Sequence, residues 1–476
     1  MTVEGKKVLV VGLARSGVAA ARLLVSRGAV VIASDLKSES ELREAASELR
    51  KLDVMLSLGG HPESLFENAD LIVLSPGVPA DLPQLEAARR ARIEIISEAE
   101  LAGRFLRGRM IGVTGSNGKT TVTTLIGELM RTAGASVIVG GNIGTPLTSL
   151  IEKSADETWT VAELSSFQLE MIDTLQVNVA VVTNITPDHL DRHGSFESYV
   201  KAKHRIFLNQ TEGDWSVLNG QDKGVSEMTS KLGVTSRKIF FSSRGRETLE
   251  GNRADVWFEG GRIHTNMLTD YAGDVEVIGV NEIPLPGMHN VENVMTALGA
   301  TFCAMGTQER DLPPLREAIK RFTGVEHRLE YVAEIDGIKF YNDSKATNVD
   351  STIKALEAFE RNIIVILGGK DKGSDYTVLA PLVRERVKHI ILLGAASKKI
   401  AEQLEGTRPM TRARSMEATV LQAMEVARAG DVVLLAPACA SFDMFDNYEH
   451  RGRVFKEAVY QLASRIHSGW TGRLTT

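Results

Sequence analysis

The sequence predicts an α/β protein of three domains, each built on a parallel sheet. Three observations carry that prediction. At 476 residues the chain is too long for a single core, and length alone suggests about three domains. Apolar runs of strand length recur, as in KVLVVG (7–12), IGVTG (111–115), IIVILGG (363–369), HIILLGA (389–395) and VVLLAPA (432–438). Such runs are continuous rather than alternating, which marks strands buried on both faces, and segments of helical spacing follow them.

Residues 1–97 form the first, Rossmann-like domain. KVLVVG is its opening strand, Gly12-Leu13-Ala14-Arg15-Ser16-Gly17 the turn, and Val18, Ala21, Leu24 and Val25 one helix face. The second strand ends at Asp35, 23 residues after Gly12, where dinucleotide folds place the acid that bonds a ribose hydroxyl. Ala14 replaces the second glycine of that fingerprint and crowds a pyrophosphate, so Arg15 is the group placed to meet a phosphate. A further strand, from Asp70, runs into the loop Ser75-Pro76-Gly77, at the sheet edge where open parallel sheets bind ligands. A Rossmann-like turn that binds nothing is the competing reading.

Residues 98–324 form a central, P-loop ATPase-like parallel-sheet domain. Strand 111–114 leads into Gly115-Ser116-Asn117-Gly118-Lys119-Thr120-Thr121, and then Val122, Leu125, Ile126 and Leu129 recur at helical spacing. Glycines let backbone N–H groups close on anionic oxygens, and the helix start adds partial positive charge. Lys119 supplies a point charge for the β- and γ-phosphates of ATP, and the Thr120 hydroxyl is placed to ligate Mg²⁺. Gly112 lies one residue too far upstream of Gly118 for the standard motif, but the shorter form keeps the working parts. Asn142 sits in a turn-rich loop, and Glu163 ends a buried strand 44 residues after Lys119. A carboxylate on a strand beside the cradle can hold the metal, whereas a lone glutamate after a strand also serves as a helix N-terminal charge.

The segment 177–207 crowds Asp188, His189, Asp191 and His193 into one loop after a strand. His189 and His193 have the spacing of a zinc pair, yet no third soft ligand follows, and hard oxygens beside a nucleotide favour Mg²⁺. For His189 the residues alone leave metal ligation and plain hydrogen bonding both open. Lys201, Lys203, His204 and Arg205 read as a solvated helix face. Residues 214–283 show short strands and turns without a functional signal. A helix entered through Gly287 carries His289, Asn290 and Asn293, which serve either as caps or as readers of an adenine edge.

Residues 325–476 form a Rossmann-like C-terminal domain. It opens with a hairpin about Asp336-Gly337, followed by the polar loop 342–348 and three buried strands. Lys372 lies after the first of those strands, and Ser441 and Phe442 after the last. Hydrophobic content of 43% and charged content of 24% are those of an ordinary globular protein, and a net charge of −6 argues against bulk nucleic-acid binding. Cys303 and Cys439 are too few for a disulfide framework. No apolar run approaches the roughly 18 residues of a membrane span, so a cytoplasmic protein with no membrane or nucleic-acid partner is expected.

A phosphate cradle flanked by two other ligand-binding sheets suits ATP-dependent joining of two separately held substrates. An NAD-dependent oxidoreductase would leave the cradle unexplained, and a regulatory nucleotide binder would leave the C-terminal loops idle.

In order along the chain stand GSNGKTT, ELSSFQL, PDHLDRH, GMHNVEN, EHRLE, NDSKATN and APACASFD. Together they resemble the Mur ligases of peptidoglycan synthesis over essentially the whole chain, and ELSSFQL with ACASFD resembles the branch that adds D-glutamate. The resemblance implies ATP, two Mg²⁺ ions and the substrates UDP-N-acetylmuramoyl-L-alanine and D-glutamate, handled by a monomer. It implies that Lys119 and Thr120 hold phosphate and one Mg²⁺ with Glu163. His189 and a carbamylated Lys203 would flank a second ion, which reverses the bland reading of Lys203. Asn142 and His189 would meet the acyl phosphate, and Asn293, Arg328 and Asp343 the adenine and ribose. Lys345, Thr347, Lys372, Ser441 and Phe442 would surround D-glutamate. Arg15, Ser16, Asp35 and Ser75-Pro76-Gly77 would bind the UDP end. Tyr448 stands where the family pattern has Phe.

Overall fold

The computed structural model describes residues 2–371 and 373–467. The chain divides into two compact units, Met1–Ile283 with Met288–Arg321, and Pro284–Gly287 with Phe322–Thr476. Three sheets are present among the described residues.

The N-terminal sheet contains β1 (Lys7–Val11), β2 (Val30–Asp35), β3 (Met55–Leu58), β4 (Leu71–Leu74) and β5 (Glu94–Ser97). All are parallel, in the order β3-β2-β1-β4-β5. Val8, Val10, Leu24, Leu71 and Val73 fill one side of it, and Leu9, Val11, Ile72 and Leu74 the other. Strand order reverses at β1 and β4, so the crevice at their carboxyl ends is the place where such sheets take ligands.

The central sheet contains β6 (Arg109–Thr114), β7 (Val137–Gly141), β8 (Trp159–Glu163), β9 (Val179–Val182), β10 (Trp215–Asn219) and β11 (Arg237–Ser242). It continues through β12 (Val256–Glu259), β13 (Arg262–Thr265) and β14 (Val275–Gly279), which pair antiparallel at one edge. These edge strands lie in the stretch 214–283, where short strands and turns are expected, and the two-residue turn Gly260-Gly261 permits a hairpin and leaves no room for a crossover. The helix Lys223–Leu232 within this stretch was not expected; Asp222 caps it by accepting from Val225 N. β6 lies between β8 and β9, which places the loop after β6 beside the ends of both.

The C-terminal sheet contains β15 (Glu330–Ile335), β16 (Ile338–Asn342), β17 (Ile363–Leu367), β18 (Val387–Leu392), β19 (Met410–Arg412) and β20 (Val432–Leu435). The expected hairpin is β15–β16, and the other strands pair in parallel in the order β16-β20-β17-β18-β19. Strand β19 carries only Met-Thr-Arg, too short and polar to show in an apolar pattern.

Candidate active site

The loop after β6 closes on itself as the glycines demand. Gly115 has φ +141° and Gly118 φ +83°, and a Cβ there would lie 2.0 Å from Thr183 Oγ1 and 2.4 Å from Asn293 Oδ1 respectively. Only glycine satisfies both backbone and space. Residues after β9 pin the loop: Ser116 N donates to Asn184 O at 2.9 Å and Asn117 N to Asn184 Oδ1 at 2.8 Å. Thr183 Oγ1 donates to Asn117 O at 2.6 Å, and Ser116 Oγ to Thr186 O at 2.8 Å. The helix Lys119–Thr132 then starts with no side-chain cap and no acid in its first turn, an anion-receptive end, with Thr120 and Thr121 buried on it.

Glu163 ends β8, one strand over from β6 and opposite Val113. It is 2% exposed. Thr120 Oγ1 donates to its Oε2 at 2.7 Å and Asn142 Nδ2 to its Oε1 at 2.9 Å. Thus Thr120 and Asn142 both meet the Glu163 carboxylate.

Lys203 overturns the reading of its segment as a solvated face. It is 2% exposed, on the inner side of the helix Phe196–His204, while Lys201 is exposed and pairs with Glu197. Its Nζ donates to Gly115 O at 2.7 Å and to Thr114 Oγ1 at 3.4 Å, and lies 4.7 Å from the Tyr199 ring centre. Burial, reinforced by the nearby Lys119 charge, pushes the Lys203 amine well below the ordinary lysine range.

His189 is half exposed and adopts φ +51°. Its ring meets Phe167 edge-on at 5.1 Å, while His193 stacks on the same ring and pairs with Ser166 Oγ at 2.9 Å. No group of three or more His, Cys, Asp and Glu side chains fit to hold a metal occurs among the described residues, so the two histidines gain no third ligand. Asn293 lies buried on the helix Met288–Met305, against Gly118, and donates to Asn290 Oδ1 at 3.0 Å.

In the N-terminal sheet, Ser75 Oγ donates to Gly12 O at 2.7 Å, which brings the two predicted loops together at the switch point. Asp35 accepts from Leu13 N at 2.6 Å and Lys37 N at 2.9 Å, and so shapes the turn. Arg15 and Gly77 are exposed there, with Ser16 and Pro76 partly buried.

In the C-terminal unit, Asp343 is 7% exposed, and burial raises its pKa to about 7 against the opposing pull of Arg328. Lys345 Nζ lies 6.0 Å from the Tyr448 ring centre. Thr347 is partly buried, Ser441 buried and Phe442 67% exposed. Lys372 lies outside the described residues.

The Mur ligase middle domain matches residues 113–301, the Mur ligase glutamate ligase domain 327–439, and the MurD-like N-terminal domain 6–97. A UDP-N-acetylmuramoylalanine–D-glutamate ligase of Koribacter versatilis is 48% identical over 98% of this chain and 99% of its own. One from Acidobacterium capsulatum is 48% identical over 99% of each chain. The chain belongs to the Mur ligase family. Among solved structures, the UDP-N-acetylmuramate–alanine ligase MurC of Thermotoga maritima superposes with a TM-score of 0.57 at 21% identity, over 96% of this chain and 99% of that one. At that identity the likeness speaks for the shared fold.

Three residues of this Mur ligase escaped sequence reasoning. Tyr199 is buried, shares a hydrogen bond with Ser116 Oγ at 2.9 Å, and has its hydroxyl pushed up to about 12. Its spacing of four from Lys203, which puts both on one helix face, was the available signal. Arg451 is 2% exposed and donates to Ser344 O at 2.8 Å and Cys439 O at 3.1 Å, tying the loops after β16 and β20. Arg192 reaches the carbonyls of Gly77 and Val78. Arg192 stands in the PDHLDRH motif but nothing local points it to Gly77, and Arg451 leaves no local sequence trace.

Proposed function

We propose that this Mur ligase joins D-glutamate to UDP-N-acetylmuramoyl-L-alanine, at the cost of ATP, in cytoplasmic peptidoglycan precursor synthesis. The buried Thr120–Glu163 pair at the mouth of the cradle carries the reading, in a chain whose whole length aligns with D-glutamate ligases. We assign residues 1–97 to the sugar nucleotide, 98–324 to ATP and 325–476 to D-glutamate, in a monomer.

A carboxylate is a poor electrophile because its charge repels an amine. Moving the γ-phosphoryl group onto the alanine carboxylate forms a new P–O bond and releases ADP. The uncharged D-glutamate amine then attacks the acyl carbon, the C–O bond to phosphate breaks, and the amine's proton is lost. Catalysis is positioning plus charge neutralisation. Lys119 and the amides of Gly115 to Thr121 hold the phosphates. Asn142 meets the acyl phosphate region with His189. Asn293, Arg328 and Asp343 hold adenine and ribose. Arg15, Ser16, Asp35 and Ser75-Pro76-Gly77 hold the UDP end; Lys345, Thr347, Lys372, Ser441 and Phe442 hold the D-glutamate carboxylates.

One hydroxyl and one carboxylate, both hard oxygen donors beside a phosphate site, fit Mg²⁺, which keeps waters and phosphate oxygens rather than an all-protein cage. Thr120 and Glu163 would hold the first ion, and His189 with Lys203 as a carbamate the second. When bound, Mg²⁺ neutralises charge on the transferring phosphoryl group.

The test is phosphate release from ATP by the full chain. It should require both UDP-N-acetylmuramoyl-L-alanine and D-glutamate. Equal release with L-glutamate or L-lysine would reject the assignment.

A further inference from the structure

Arg192 lies three residues past His189 on the one-turn helix Leu190–His193, and the reaction above gives it no task. Its Nη1 donates to Gly77 O at 3.3 Å and its Nη2 to Val78 O at 2.5 Å. Its Cζ stands 4.4 Å from the Phe167 ring centre, and the same ring carries His193 and His189, each 5.1 Å away. Phe167 itself follows Glu163 by four residues. One guanidinium therefore links the loop after β4 to the loop that presents His189, both within the first compact unit.

His189 holds a left-handed backbone at φ +51°, which a non-glycine residue keeps only where its surroundings enforce it. Arg192 N and His193 N both donate to His189 O, at 3.1 and 3.0 Å, closing the turn that holds this conformation. The acceptors on the far side are two successive main-chain carbonyls, which suit a planar fork with divergent donors. A lysine ammonium cannot serve both carbonyls and the ring face at once.

We propose that Arg192 is a positioning residue that couples the Ser75–Val78 loop to His189, so that a sugar nucleotide seated on the first loop fixes the imidazole on the second. This deepens the ligase reading and rests on it for the identity of the sugar nucleotide.

The test uses the full chain with Arg192→Ala and Arg192→Lys, in steady-state kinetics against each substrate and in calorimetric titration with UDP-N-acetylmuramoyl-L-alanine. Both variants should raise KM and Kd for the sugar nucleotide about 10-fold and lower kcat by a similar factor. KM for ATP and D-glutamate should stay within about twofold, and millimolar guanidinium should restore part of the Arg192→Ala activity. Wild-type behaviour in the lysine variant would overturn the fork; unchanged sugar-nucleotide affinity, or an equal rise in all three KM values with a lowered Tm, would overturn the coupling. The titration reads the coupling directly: if the wild type binds the sugar nucleotide but releases no phosphate with D-glutamate, only the choice of amino acid fails.

Discussion

Lys119 and Lys203 donate to the same acceptor, the carbonyl oxygen of Gly115, at 3.0 and 2.7 Å. Two ammonium groups converging on one carbonyl repel each other, and the buried one yields: Lys203 is the amine driven toward its neutral form. The two amines differ in setting: Lys203 is 2% exposed, while Lys119 Nζ also donates to Ser116 O at 2.8 Å.

The proposed carbamate forms when the neutral amine attacks CO₂ and releases a proton, which gives an anionic oxygen donor for a divalent ion. Lys203→Ala is expected to lower kcat by on the order of 100-fold, with partial recovery in acetate or propionate. Carbon-13 NMR of wild type in labelled bicarbonate should show a carbamate signal that the variant lacks. Full activity in Lys203→Ala would dismiss the carbamate.

Removal of Lys119 strips the cradle of its mobile charge. Lys119→Ala should lower kcat/KM for ATP by about 100-fold to 1000-fold, the usual loss for one charge-stabilising donor at a transferring group. Calorimetry with a non-hydrolysable ATP analogue separates lost binding from lost chemistry. Ordinary turnover would remove the cradle from the mechanism.

Glu163 accepts from both Thr120 and Asn142, so an amide at this position keeps the shape and loses the charge. Glu163→Gln should leave Tm within a few degrees and raise the Mg²⁺ concentration for half-maximal activity by about 10-fold to 100-fold. An unchanged Mg²⁺ requirement would place the ion elsewhere.

Asp343 carries a pH signature in stability. Its folded pKa is raised to about 7 by burial, above the ordinary value of an unfolded aspartate. A raised carboxyl stabilises the fold at pH below about 4, and that contribution is lost as pH climbs through 7, because the ionised form is resisted only in the folded state. The loss amounts to a few kcal/mol at most. Asp343→Asn should flatten this decline, so denaturant melts at pH 4.5 and 8 should show the variant gaining on the wild type at the higher pH. Parallel curves would show that Asp343 is not held in a desolvated site.

Strand, cradle and cradle helix were readable from the sequence because their parts are covalent neighbours: φ-tolerant Gly115 and Gly118, Lys119 and Thr120 lie within six residues. The same holds for the β15–β16 hairpin and the polar loop after it, where turn chemistry and periodicity are local signals. Family motifs carried the reading further, to roles for Lys203 and Asp343 that no local pattern supports. What only the tertiary structure decided are relations across long stretches of chain. Lys203 meets Gly115 88 positions away, and Arg192 meets Gly77 115 positions away. Periodicity reports which residues share a face, but whether that face is wet or buried depends on what packs against it. Burial then pushes the Lys203 pKa down and the Asp343 pKa up, and desolvation has no counterpart in a string of residues.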